Sequence, residues 1–336
     1  MDEDLRRCNL CEWGCGVDRA AGELGVCLLG QPQVASRTLH PAPPSSFTIF
    51  MAGCNFRCLH CQNWEIAHWP ATGKPVDGPL DASALAREAL TALASPRGAS
   101  IRADRLFFSG GEPTCSLPYV EEVAWHARQL DPTAKVNFDT NGFLTDDSLR
   151  RVLSWTTSVT FDLRAVDDEV HRALVGAPVA PVLRNARLMA EHPDKLWEFR
   201  VLLVPGINED EVEGLCRYVA ALGSDLPVHF LAFRPEFVLH EHLGAPTASL
   251  DRAVSVGRDC GLRNVSWSGR PDLPPGAGLI TPRQATTLGR GYSAPGALLA
   301  GAYARCAGCI TAPRDCGACR ARLHCRVKAY TPVAGW

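Results

Sequence analysis

Fifteen of the 336 residues are cysteine, and twelve of them fall into three tight groups: Cys8, Cys11, Cys15 and Cys27; Cys54, Cys58 and Cys61; and Cys306, Cys309, Cys316, Cys319 and Cys325. Such knots constrain a chain strongly, because clustered thiols in a reducing compartment serve metals or iron–sulfur centres rather than disulfides. A cytoplasmic location is expected here: Met1-Asp2-Glu3-Asp4 opens with acid where a secretory leader carries a basic and then an apolar stretch. The longest small-apolar run, Ala294 to Ala304, contains glycine and is shorter than the roughly 20 apolar residues of a membrane helix. With 46% hydrophobic and 21% charged residues and a net charge of −2, the chain is globular in composition and has no basic excess for nucleic acid. Neither a nucleic acid nor a membrane is an expected partner.

Between the first and last cysteine groups, strand-like runs alternate with amphipathic ones. Strands are expected at Phe47–Met51, Leu106–Phe108, Val136–Phe138, Val159–Asp162, Trp197–Val204 and Val228–Phe233, and helices at Ser83–Leu93, Tyr119–Leu130, Val179–Ala190 and Glu211–Leu222. This alternation predicts an α/β fold of βαβ units, curling into a partial (β/α)6 TIM-like barrel. Small cysteine-rich segments flank it, so the domains are expected at 1–40, 41–268 and 269–336. Pro41–Pro44 and Pro70–Pro79 read as linkers, and beyond Arg270 the Gly/Pro-rich sequence is expected to be organised by its cysteines. In parallel α/β folds the C-terminal strand ends form the active face. The segments Ser109-Gly110-Gly111-Glu112, Asp139-Thr140-Asn141-Gly142 and Asp162-Leu163-Arg164 are therefore expected to converge with the cysteine loop that leaves the first strand.

That loop, Cys54-Asn-Phe-Arg-Cys58-Leu-His-Cys61, places three thiolates where they can grip three corners of a cubane, with no fourth cysteine close behind. A four-iron cluster held by three cysteines keeps one iron open for another ligand. The competing reading is a zinc loop that borrows a ligand from elsewhere.

The loop, with Gly110-Gly111-Glu112-Pro113 after the next strand, resembles the radical S-adenosylmethionine (SAM) superfamily. Within it, Cys61-Gln62-Asn63-Trp64-Glu65-Ile66, Asp139-Thr140-Asn141-Gly142, Phe161-Asp162-Leu163-Arg164, His171-Arg-Ala-Leu-Val-Gly176 and Arg200-Val-Leu-Leu-Val-Pro-Gly206 resemble activating enzymes of the pyruvate formate-lyase type and their uncharacterised relatives. The resemblance implies a [4Fe-4S] cluster on Cys54, Cys58 and Cys61 that chelates SAM and cleaves it to a 5′-deoxyadenosyl radical. It further implies that His60 lies near the adenine, that Gly110 and Gly111 admit the methionine moiety, and that Glu112 accepts from its amino group. Asp139, Thr140, Asn141 and Asp162 are implied near the ligand or a neighbouring cation. Arg164 stands where the group usually has lysine and is the expected partner of the methionine carboxylate. Arg200 and His229, on later strands, are weaker candidates.

Cys8-x2-Cys11-x3-Cys15 with Cys27 resembles the N-terminal stretch of the uncharacterised relatives. This segment is too short for a core of its own, so metal is expected to support its folding, as zinc, a single iron or an iron–sulfur cluster. Cys306-x2-Cys309-x6-Cys316-x2-Cys319-x5-Cys325 offers five thiols for a further centre and loosely resembles the auxiliary-cluster extensions of peptide-modifying radical enzymes, but Ala329 stands where another cysteine is expected. Cys115, Cys216 and Cys260 are expected to be packed small residues. The function these features imply is activation or modification of a protein or peptide, with a flavodoxin- or ferredoxin-like electron donor. One alternative is cobalamin-dependent methyl transfer to a protein residue, although no separate cobalamin domain is visible. The other is a non-catalytic iron–sulfur electron carrier or metal scaffold, which leaves the Gly-Gly-Glu and Asp-Thr-Asn-Gly motifs without a purpose.

Overall fold

A computed structural model describes residues 2–70, 72–239 and 242–277. The chain divides into two compact units, Met1–Asn55 with Glu65–Phe161, and Phe56–Trp64 with the chain from Asp162 onward. Within each unit the strands follow chain order, β1 to β5 in the first, except that the last residue of β5, Asp162, belongs to the second, and β6 to β8 in the second. No helix among the described residues is long and apolar enough to cross a membrane. The expected metal ligands Cys306, Cys309, Cys316, Cys319 and Cys325 lie outside the described residues.

The first unit runs α1 (Asp2–Arg6), β1 (Val34–His40), β2 (Ser46–Met51), α2 (Trp64–Ala67, whose first residue belongs to the second unit), α3 (Ala82–Leu93), α4 (Pro96–Ser100), β3 (Arg105–Gly110), α5 (Leu117–Leu130), β4 (Lys135–Thr140), α6 (Asp146–Trp155) and β5 (Ser158–Asp162). Strands β2 to β5 pair in parallel. Near-continuous apolar runs such as Leu106-Phe107-Phe108 belong to parallel strands buried on both faces. Helices α3 and α5 lie against each other and bury Leu85, Ala86, Ala89, Val120, Val123 and Ala127. Asp81 caps α3 by accepting from Ala84 N–H at 2.7 Å, and Thr145 caps α6 through Ser148 N–H.

A further strand, β1, absent from the strands expected from sequence, pairs antiparallel with β2 through a turn formed by the Pro41–Pro44 segment. Its residues from Arg37 to His40 alternate between exposed and half-buried, the pattern of an edge strand rather than of an apolar run. Residues 2–40 thus contribute a strand to the first unit as well as a cysteine loop.

The second unit contains α7 (Asp168–Val175), α8 (Ala180–Ala190), β6 (Leu196–Leu203), α9 (Glu211–Leu222), β7 (Val228–Ala232), α10 (Thr247–Asp259) and β8 (Val265–Ser268), with β6, β7 and β8 parallel. Phe199, Val201, Val228, Phe230 and Val265 are buried on one face, and α10 packs on β7, β8 and α9. Alternation places Glu198, Arg200, His229, Ser266 and Ser268 on the other. Strand β8, only four residues long and half exposed, also went unanticipated.

Candidate active site

Three parallel strands of the first unit end on one another's main chain. Strand β2 runs into Gly53-Cys54-Asn55, β3 into Gly110-Gly111-Glu112, and β4 into Asp139-Thr140-Asn141. Gly111 N–H donates to Met51 O at 2.8 Å, and Glu112 N–H to Gly53 O at 2.9 Å. Gly110 has φ +115°, and a Cβ there would lie 2.3 Å from the Met51 carbonyl oxygen; one on Gly111 would lie 2.0 Å from that of Gly53. Only glycine permits this approach. What comes up against the two glycines in the structure is therefore the chain leaving β2.

Glu112 is buried, and its carboxylate accepts four hydrogen bonds. Thr114 N–H (3.1 Å), Thr114 Oγ1 (2.6 Å) and Thr140 Oγ1 (2.9 Å) reach Oε1, and Asn141 N–H reaches Oε2 at 2.7 Å. Burial pushes this carboxyl up to about 7 against the pull of those donors. Glu112 thus ties the β3 loop to the β4 loop. Asn141 extends the tie to the cysteine loop: its Nδ2 lies 2.7 Å from Asn55 Oδ1 and 3.9 Å from Cys54 Sγ, while its Oδ1 accepts from Phe143 N–H at 3.0 Å. Asn55 is fully buried, and its side-chain amide is directed at the Cys11 sulfur. Asp139 Oδ2 accepts from Ser109 Oγ at 2.7 Å.

In the second unit, Cys58 and Cys61 sit on a segment stitched to the end of α7, Arg57 N–H donating to Val175 O and Leu59 N–H to Leu174 O, both at 3.0 Å. Phe56 meets the ring of His171 edge-on at 5.6 Å. The motif around His171 therefore cradles the loop, a role its spacing in the sequence did not disclose. Burial pushes the Cys58 thiol up to about 12, with the Arg164 charge the main counterweight. Arg164 Nη2 lies 2.6 Å from Asp162 Oδ2, and its Nε has no partner. Arg200 Nη1 stands 4.0 Å from Asp162 Oδ1, and Arg200 Nε donates to Glu198 at 2.9 Å.

His60 is buried with neither ring nitrogen partnered, and burial, then Arg164 and His171, hold it well below the usual imidazole range and hence neutral. His171 is lowered to about 4, chiefly by burial. Its Nδ1 lies 2.8 Å from the Ala177 carbonyl, which accepts, so the proton sits on Nδ1 and Nε2 is left a bare acceptor. His229 is differently placed: Ser266 Oγ at 2.9 Å and Ser268 Oγ at 2.7 Å engage both its ring nitrogens.

Cys8, Cys11, Cys15 and Cys27 all belong to the first unit, together with Cys115, and none of the ten described cysteines is in a disulfide. Cys27 and Cys115 pack together with Leu29, so Cys115 is a packed small residue of the buried core, set beside one of the N-terminal cysteines. The cysteine segment also meets the strand-end loops. Trp13 Nε1 donates to Asn55 O at 2.9 Å, Glu12 N–H donates to Phe143 O at 3.1 Å, and the Trp13 and Phe143 rings lie 5.1 Å apart. Among the described residues no three His, Cys, Asp or Glu side chains stand in metal-holding geometry.

These donors suit an iron–sulfur cluster and a nucleoside-bearing amino acid. Cys54, Cys58 and Cys61 lie within eight residues of sequence. The unpartnered nitrogens of His60 and Arg164 are buried polar atoms of the kind a ligand satisfies. Cys54 and Asn55 belong to the first unit and Cys58 to Cys61 to the second, so only the covalent spacing relates them here.

Comparison with known proteins agrees. The chain is 25% identical over 289 residues to an uncharacterized protein of Methanocaldococcus jannaschii, covering 79% of this chain and 81% of that one. It is 26% identical over 178 residues to the pyruvate formate-lyase-activating enzyme of Staphylococcus aureus, covering 50% of this chain and 66% of the relative's length. A radical SAM methyltransferase structure from Sphaerobacter thermophilus matches with a TM-score of 0.50 at 16% identity, over 70% of this chain and 69% of that one. The likeness shows the fold, an α/β architecture with a mostly parallel sheet, consistent with the partial barrel expected from sequence. The sequence model of the radical SAM superfamily matches residues 48–219, just over half of the chain, and the chain belongs to that superfamily.

Proposed function

We propose that this protein is a radical SAM enzyme that activates or modifies a protein or peptide, as glycyl-radical activating enzymes do. The observation that carries the reading is the surroundings of Cys58: a largely buried cation, Arg164, beside the thiol, and a neutral, unpartnered imidazole, His60, two residues on. The similarity to the Staphylococcus aureus activating enzyme supports the substrate class. The family implies a [4Fe-4S] cluster and SAM, which together supply reductive carbon–sulfur cleavage and abstraction of a substrate hydrogen.

The chain's own residues do the positioning. Cys54, Cys58 and Cys61 would hold the cluster. Asp162 fixes the Arg164 guanidinium plane through Nη2, leaving Nε, which would be available to the methionine carboxylate. His60 stays neutral, so it offers a hydrogen bond to the adenine edge without adding a charge beside Arg164. Glu112 and Asn141 hold the β3 and β4 loops in register with Cys54. An electron donor of the flavodoxin or ferredoxin class completes the system.

Anaerobic reconstitution with iron and sulfide, followed by dithionite and SAM, tests the reading. Formation of 5′-deoxyadenosine is expected, with uptake of substrate deuterium from a labelled glycyl-radical-domain peptide. A reconstituted cluster that leaves SAM intact refutes the enzyme assignment, and cleavage without deuterium uptake from any peptide refutes the substrate class.

A further inference from the structure

Arg19 is buried to 1% exposure. Its Nε donates to Gly30 O at 3.0 Å, and its Nη1 to Cys115 O at 2.7 Å and towards Cys8 Sγ at 3.8 Å, while Nη2 has no partner. No carboxylate pairs with it among the described residues. A guanidinium does not shed its proton in a protein, so this is a buried cation in want of a counter-charge. Burial works against that charge, and the groups nearest to it that can become anionic are the sulfurs of Cys27, Cys8 and Cys115.

We propose that Cys8, Cys11, Cys15 and Cys27 hold a second metal centre as a tetrathiolate, with Arg19 as its fixed counter-charge. The loops are built for sulfur ligands. Val26 N–H is directed at the Cys15 sulfur and Trp13 N–H at that of Cys11, and backbone donors of this kind stabilise thiolates. Gly14 N–H donates to Cys11 O at 3.0 Å, and Gly16 N–H to Cys8 O at 2.9 Å, turning the segment back on itself. A Cβ on Gly25 would lie 3.2 Å from Cys15 Sγ, so glycine lets the Cys27 arm pass beside that sulfur.

Either a divalent ion or a four-iron cluster of charge +2 would take four thiolates, release the thiol protons and leave a net charge of −2, half of which the guanidinium offsets. Because the sulfurs are not already in metal-holding geometry, binding draws them inward. Gly16 and Gly22, with nothing within 4 Å of where a side chain would be, leave the loop room to close. Trp13 and Glu12 connect this segment to Asn55 and Phe143, so the second centre would brace the loop that carries Cys54. The inference is independent of the proposed reaction, because its test reads metal rather than turnover.

The test uses the full chain, purified anaerobically, in a Cys54→Ala/Cys58→Ala/Cys61→Ala background so that radical-cluster iron does not count. Cys15→Ser and Cys27→Ser are each expected to lower metal content, by one zinc or iron for a single ion or by about four irons with their sulfide for a cluster. In the chain without cysteine substitutions, Cys8, Cys11, Cys15 and Cys27 should resist alkylation until a chelator is added, a readout that needs no variant to fold. Arg19→Gln should surrender the metal to about tenfold less chelator, with Arg19→Lys nearer the parent. Metal content unchanged in both cysteine variants, with alkylation of the four thiols indifferent to chelator, overturns the proposal.

Discussion

The backbone N–H of Asn141 donates to the buried carboxylate of Glu112 at 2.7 Å, so the loop after one strand is fastened by the side chain that ends another. The same Asn141 reaches Cys54 Sγ through its side chain, which makes the first cysteine of the radical loop depend on a residue 87 positions away. The arrangement places one acid under opposing demands, with four donors favouring the carboxylate and burial favouring the acid.

That acid sets a pH dependence. A carboxyl raised to about 7 on folding, from an unfolded value near 4.5, binds its proton more tightly in the folded chain. Its contribution to stability is therefore greatest below pH 4.5, falls as pH rises to about 7, and is constant beyond, a span of about 3 kcal/mol at most. Glu112→Gln removes the titration. Urea unfolding of both proteins at pH 5.5 and pH 8 should show the parent losing stability relative to the variant as pH rises. A difference that does not change with pH would show that the carboxyl is not raised.

Asn141→Ala deletes the donor to Asn55 Oδ1 and the N–H directed at Cys54 sulfur. Leaving buried Asn55 without that partner should cost about 1–3 kcal/mol. A cluster thiolate that loses an N–H donor is harder to reduce, so the reconstituted cluster should move to a more negative midpoint potential while far-ultraviolet dichroism stays unchanged. An unaltered potential would show that the contact has no effect on the cluster.

Replacing Cys54, Cys58 and Cys61 together with alanine should abolish 5′-deoxyadenosine formation and leave metal elsewhere in the chain. Nucleoside analysis by mass spectrometry after anaerobic reduction checks this, and product from the triple variant would refute the cluster assignment.

Arg164→Ala should weaken SAM binding by about tenfold or more, the scale of a lost hydrogen bond to a charged group. Equilibrium dialysis of the reconstituted protein measures it. Arg164→Lys should recover part of the affinity, since it keeps the charge but loses the fork that engages Asp162 and a carboxylate together. Equal affinity in the alanine variant would move the role to Arg200.

The amino-acid sequence by itself determined the α/β alternation, the parallel strands β2 to β5 of the first unit and β6 and β7 of the second, and the cysteine loop at the end of the first of them. Apolar runs of four to eight residues and ligand spacing within one loop are local properties, readable without tertiary structure. The edge strand β1 was not readable in this way, because half-exposed residues carry no apolar run. Only the tertiary structure decided what each polar residue at the strand ends touches: that Glu112 binds Thr114, Thr140 and Asn141, that His229 is committed to two serines, and that Arg19 is buried among Cys8, Cys27 and Cys115. Thr140 and Asn141 lie 28 and 29 residues from Glu112, and the two serines 37 and 39 from His229, so such contacts are set by partners that no local pattern names. A side chain's charge state and its availability to a ligand follow from those partners and not from its own position in sequence.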